Sequence, residues 1–148
     1  MHITDHARDR PTGTLSIQVF RDDVCVEEVG LNLVVDLSKQ IQSRLLGGDS
    51  GWSVTKFAVG TSGTPTAPGD SALAGAFVKA IDKVEYPSDT SVVFFFSLAK
   101  EEANGMAIRE FGLLADNGTL FARKVRATGA ALEKDSELSI RGTWKIQF

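Results

Sequence analysis

Two Asn-Gly dipeptides, Asn104-Gly105 and Asn117-Gly118, bracket an apolar run. Such pairs supply the positive φ angles that tight reversals of antiparallel strands require. The stretch from Asn104 to Arg123 therefore predicts a β-meander, around which the rest of the chain has to build a sheet. Its middle, Ile108-Arg109-Glu110-Phe111-Gly112-Leu113, sets an adjacent Arg and Glu inside an otherwise hydrophobic strand. Consecutive strand residues point to opposite faces, so Arg109 and Glu110 cannot both enter one core. Either one is solvated while a turn or neighbouring strand ties down the other, or one makes a buried charge-assisted contact across a subunit boundary. Loss of a partner in that second arrangement costs about 3 to 5 kcal/mol.

Strand chemistry recurs on both sides of this stretch. Leu15-Ser16-Ile17-Gln18-Val19 alternates apolar and polar, and Val24-Cys25-Val26 resumes the pattern after Arg21-Asp22-Asp23, which predicts a hairpin over 14–29. From Leu31 through Val34, Val35, Ser38, Ile41 and Leu45 the period changes to three and four, and Gly47-Gly48 ends it, so an amphipathic helix is expected over 32–46. Trp52 to Val59 reads as a strand, followed by a long loop of small residues from Gly60 to Asp70. Asp70 is placed to cap a helical turn over 71–74 with Leu73 as its anchor. Lys79 to Tyr86 suits one edge strand, closed by a turn at Pro87-Ser88-Asp89. Val92-Val93-Phe94-Phe95-Phe96-Ser97-Leu98 is apolar on both faces, which predicts a central strand covered on both sides by the helix or by another subunit. The last strand, Leu138 to Phe148, carries Trp144, Ile146 and Phe148 on one face and is expected inside the sheet.

These elements amount to a mainly β chain, an antiparallel β-sandwich of about seven or eight strands with one amphipathic α-helix. The domain spans 14–148 and follows a polar arm over 1–13 that contains Pro11 and Gly13. At 148 residues the chain has the length of one domain. A net charge of −3 and a pI near 5.4 argue against a nucleic-acid partner, and the basic run Arg123-Lys124-Val125-Arg126 alternates as a solvated strand face does. No apolar run approaches the roughly 20 residues that span a bilayer, and the first residues lack the pattern of a signal peptide, so membrane insertion is not expected and synthesis is placed in the cytoplasm. Cys25 alternates with valines as a small strand residue. His2 and His6 lie in the arm with no third ligand nearby, and the glycine-rich loop has no phosphate-cradle motif. No catalytic residue, metal or cofactor is assigned, and an enzyme is not expected. Acidic pairs drawn from Glu101, Glu102, Glu110 and Asp116 carry no weight in a chain with 19 carboxylates.

The order of these signals has a counterpart among known families. A helix, a strand ending in F-A-V-G-T-S-G-T, a proline-containing loop with D-S-A-L, an apolar strand, E-A-N-G-M-A-I-R-E-F-G-L-L, D-N-G-T-L-F-A-R and a final L-S-I-R-G-T-W-K-I-Q-F follow one another. Together they resemble a domain of bacteriophage tail-fibre, tail-collar and related tail or baseplate proteins. The likeness covers roughly Gly30 to Phe148. It implies a virion structural protein of phage or prophage, made in the host cytoplasm and acting in assembly or fibre attachment. It also implies homo-oligomers, with a trimer among the candidates, and contacts to other tail or neck proteins. The chain lacks the repetitive shaft of a full fibre, which points to an adaptor or attachment component. Arg109, Glu110, Phe94, Phe96 and Trp144 are the candidate structural or interface residues. The alternative is a carbohydrate-binding module for host-surface glycans, for which Trp52 is the one aromatic placed near a loop.

Overall fold

The computed structural model describes residues 11–22, 24–126 and 130–148. The arm, with His2 and His6, lies outside the described residues up to position 10, and regular structure already begins at Thr12 rather than after Gly13. β1 (Thr12–Arg21) and β2 (Val24–Val34) make the expected hairpin, in register from Gly13 opposite Asn32 to Arg21 opposite Val24. Alternation along β1 buries Leu15 and Ile17.

The helix is shorter than its periodicity suggested. α1 spans Leu37–Leu46, and the segment up to Val34 completes β2 instead. Leu31 to Val34 fits either period, and strand pairing decides it, because Leu33 and Val34 find partners in Arg123 and Ala122 of a later strand. Gly48, at φ +91°, ends α1 as expected. Ile41 is the helix residue that enters the core.

The remaining strands are β3 (Val54–Gly60), β4 (Phe77–Ala80), β5 (Lys83–Ser88), β6 (Ser91–Leu98), β7 (Ala107–Ile108), β8 (Glu110–Ala115), β9 (Leu120–Val125), β10 (Leu132–Glu133) and β11 (Leu138–Gln147). Nine strands form one antiparallel sheet in the order β4-β3-β8-β9-β2-β1-β11-β6-β5, and β7 pairs separately with β10. The sheet is curled into two layers. Phe57 of β3 meets Phe96 of β6 with ring centroids 4.6 Å apart, although the strands stand six places apart in the sheet. The fold is thus mainly β and sandwich-like, with one helix.

Two corners make the curl. β2 pairs with β1 as far as Asn32 and reaches β9 only through Leu33 and Val34, so it crosses between layers. Opposite it, Ile81 and Asp82 join β4 to β5. The Ile81 N–H bonds to Thr55 O in one layer at 2.9 Å, and the Asp82 N–H to Phe95 O in the other at 2.7 Å. The expected single strand over 79–86 is therefore broken at this corner and split between layers.

The meander is reduced in the same way. Asn117-Gly118 does turn β8 into β9, with Gly118 at φ +90°, its N–H 2.8 Å from Ala115 O, and a register slip beside Leu114. Asn104-Gly105 belongs instead to a crossover carrying the chain from β6 to the opposite layer, where the Gly105 N–H bonds to Lys134 O at 2.8 Å. Nor is β6 central: it stands one strand in from the edge, between β11 and β5. Phe94 and Phe96 point into the core. Phe95, on the other face, is half-buried beneath Lys83, whose Nζ sits 4.4 Å from the ring centroid. β11 lies inside the sheet between β1 and β6, as the sequence suggested, and buries Trp144 completely.

Phe96 fits because residue 142 has no side chain. A Cβ there would lie 2.4 Å from Phe96 Cζ and 2.7 Å from Ser16 O. Urea unfolding should therefore show Phe96→Ala losing about 3 to 5 kcal/mol to a cavity. Gly142→Ala should lose about 1 to 3 kcal/mol to overpacking, and a neutral result there would mean the layers can spread without cost.

Candidate functional site

Glu110, Gly112 and Leu114 occupy the face of β8 turned away from the interlayer core. Strand alternation puts Arg123 of β9, opposite Gly112, on that same face. A carboxylate there would ordinarily be solvated. Glu110 is instead fully buried, because the irregular segment 61–76 folds back over it. Its Oε1 accepts from Arg123 Nε at 2.8 Å, and its Oε2 accepts from the backbone N–H groups of Ser62 at 2.8 Å and Ala74 at 2.9 Å. Arg123 continues the chain of contacts. Nη1 donates to Asp70 Oδ2 at 3.0 Å and Nη2 to Thr64 O at 3.0 Å.

Glycines make the space. A Cβ on Gly60 would meet Glu110 Oε2 at 2.6 Å, and one on Gly112 would meet Leu73 Cδ1 at 2.6 Å. Leu73 is thus the anchor the sequence suggested, but no helix forms around it. Asp70 accepts from the Ala67 N–H and from Arg123 rather than capping a turn over 71–74. The partner of Glu110 comes from its own chain. Arg109 is half-buried, and its strongest ties are through the backbone, its N–H to Gly60 O at 2.9 Å and its carbonyl to the Arg126 N–H at 3.0 Å.

Arg123, expected from the sequence on a solvated strand face, is thus buried, because segment 61–76 covers that face, and a third buried charge, Lys134, was not singled out at all. Lys134 follows β10 and donates from Nζ to Lys100 O at 3.0 Å, Asn104 Oδ1 at 2.7 Å and Asp135 O at 2.9 Å, which pins the crossover of residues 99–106. Burial lowers its pKa below the ordinary lysine value. Beside it, Glu102 accepts from Lys79 Nζ at 2.7 Å and from the Ala99 N–H at 2.9 Å; the Lys79 bond holds its carboxyl below the usual glutamate range.

On the opposite side the layers part. Between β3 and β5 opens a groove of about 470 Å³ whose floor includes the core residues Phe94, Phe121 and Ile146. Leu45, Val84, Tyr86 and Phe148 line it and are 38%, 39%, 77% and 58% exposed. Of the candidate interface residues, only Phe94 reaches this groove. Phe96 and Trp144 are internal, and Trp144 Nε1 donates to Asn32 Oδ1 at 2.9 Å. Trp52, the aromatic expected near a loop, packs against the core with the Arg44 guanidinium 5.6 Å over its ring. Among the described residues no three His, Cys, Asp or Glu side chains gather where they would hold a metal ion. No helix of the described residues is long and apolar enough to cross a membrane. No family model matches the chain, and no curated protein or solved structure matches it.

Glu110→Ala leaves Arg123 short of a buried partner and two loop amides without an acceptor. Stability should fall by about 3 to 5 kcal/mol, and amide exchange at Ser62 and Ala74 should accelerate more than in β11. Glu102 supplies a pH signature. Its pKa is lower folded than unfolded, so its contribution is complete above the ordinary glutamate range and is lost as pH falls through the folded value. Acid titration of thermal stability should be flatter on that limb for Glu102→Gln than for the wild type.

Proposed function

We propose that the chain is a structural protein of a bacteriophage or prophage virion, working by protein contacts in the tail, neck or baseplate, as an assembly or fibre-attachment component. The observation that carries this reading is the groove. An apolar channel reaching the core and rimmed by exposed Tyr86 and Phe148 is the kind of surface that proteins cover with a partner. The motif order from Gly30 to Phe148 supports the particular setting. Buried Glu110, Arg123 and Lys134 contribute rigidity, with their hydrogen-bonding capacity directed at loop backbone and at neighbouring side chains. We assign them no catalytic step. Itself and neighbouring virion proteins are the proposed partners.

The sugar-binding alternative rests on Tyr86, the most exposed aromatic lining the groove, with Gln42 and Asp89 among the other lining residues. Glycan-array binding that Tyr86→Ala abolishes would favour it.

The test of the assembly reading is genetic and microscopic. Purified particles of the encoding phage should contain the chain, and deleting its gene should give particles that lack a tail, neck or baseplate part in electron micrographs. Complete, infectious particles formed without it would overturn the proposal.

A further inference from the structure

We propose that a second copy of this chain docks at the edge of the groove, the two copies pairing antiparallel along β5 about a two-fold axis that sets the two Val84 residues opposite each other. This rests on the assembly reading and names the partner of its groove.

β5 is the last strand of the sheet. It pairs with β6 on one side, and among the described residues no backbone hydrogen bond is made on the other. Such an edge is a template for another strand, and identical chains most often associate about a two-fold axis. Antiparallel partners place opposed residues on the same side of the sheet. A two-fold axis between two copies of β5 must therefore pass through one residue, because neighbouring residues face opposite ways.

Charge then selects the residue. Lys83 and Glu85 share the face that carries Phe95, as their pairing with Phe95 and Val93 requires, and they lie 3.3 Å apart at 58% and 56% exposure. Centring on Lys83 sets Lys against Lys, and centring on Glu85 sets Glu against Glu. Centring on Val84 sets each Lys83 against the other copy's Glu85, the arrangement cross-strand pairs favour. The same register places the two Val84 side chains together on the Phe94 face. The two grooves, with Tyr86 and Phe148 at their rims, then merge into one apolar surface. Pro87 lacks an N–H and the register with β6 slips between Glu85 and Ser88, so the ladder is confined to residues 83–85.

Sedimentation equilibrium of the full chain tests this. The wild type should form dimers, or larger assemblies of even order. Lys83→Glu and Glu85→Lys should each weaken the dimer about tenfold, and the double exchange should restore it to within about threefold, since each dimer contains two such pairs. A cross-link checks the register independently of the charges. Directly opposed residues of antiparallel strands have Cα atoms about 4.5 to 5.5 Å apart, within the span of a disulfide. In a Cys25→Ser background, Val84→Cys should give a disulfide-linked dimer on mild oxidation, and Val78→Cys, exposed on β4, should not. Four results would overturn the proposal: a monomer, a trimer, a dimer indifferent to charge exchange, or failure of Val84→Cys to cross-link. The chain's presence and role in particles are decided separately, so failure here removes this interface and leaves the assembly reading to its own test.

Discussion

The ion pair between Glu110 and Arg123 is the constraint on which one whole face of the molecule depends. Burying two charges is unfavourable unless each is fully hydrogen-bonded, and the surrounding residues meet that demand. Gly60 and Gly112 leave room, Ser62 and Ala74 supply amides, and Asp70 and Thr64 O accept from the guanidinium Nη1 and Nη2. A segment without regular structure thereby becomes the second wall of the β3, β8 and β9 layer. Leu73 and Val35 join Ala58, Leu114 and Leu120 beneath it. The layer is apolar on both sides because a loop, rather than a second sheet or another subunit, covers its outside.

The curl of the sheet explains the groove on the other side. Ile81 and Asp82 tie the two outer strands together at one end, each bonded to a different layer. Among the described residues no backbone hydrogen bond joins Val54 to Val84 further along. The interlayer core is consequently sealed at the corner and open beyond it, where Phe94, Phe121 and Ile146 line the floor.

Local chemistry was readable in the sequence where one interaction dominates. The β1 hairpin, the turn at Gly118, the glycine end of α1 and the internal position of β11 follow from alternation and turn residues. What stayed hidden depends on which distant strands meet. Leu33 and Val34 fit a helical period until β9 supplies partners. Lys79 to Tyr86 looks like one strand unless both layers are known to claim its halves. The clamp was within reach, since the turn at Gly118 brings Arg123 beside the row of Glu110. Asp70 and the amides that complete it lie 36 to 53 residues away in sequence, and no local pattern announces them. Lys134 gave no signal, because an isolated lysine in a polar stretch reads as solvated.

The position of β11 also bears on when this molecule can come into being. The final strand lies between β1 and β6, with Thr12 opposite Gln147 and Ile146 opposite Val92. Until β11 emerges from the ribosome, these two earlier strands have no common neighbour, and each presents a bare edge. The main sheet therefore closes only once β11 has been made, through its pairing with a strand synthesised long before it. Pairings of such long sequence separation form slowly. The interval before closure is when nascent chains crowded on one message are most exposed to pairing with each other instead of with themselves.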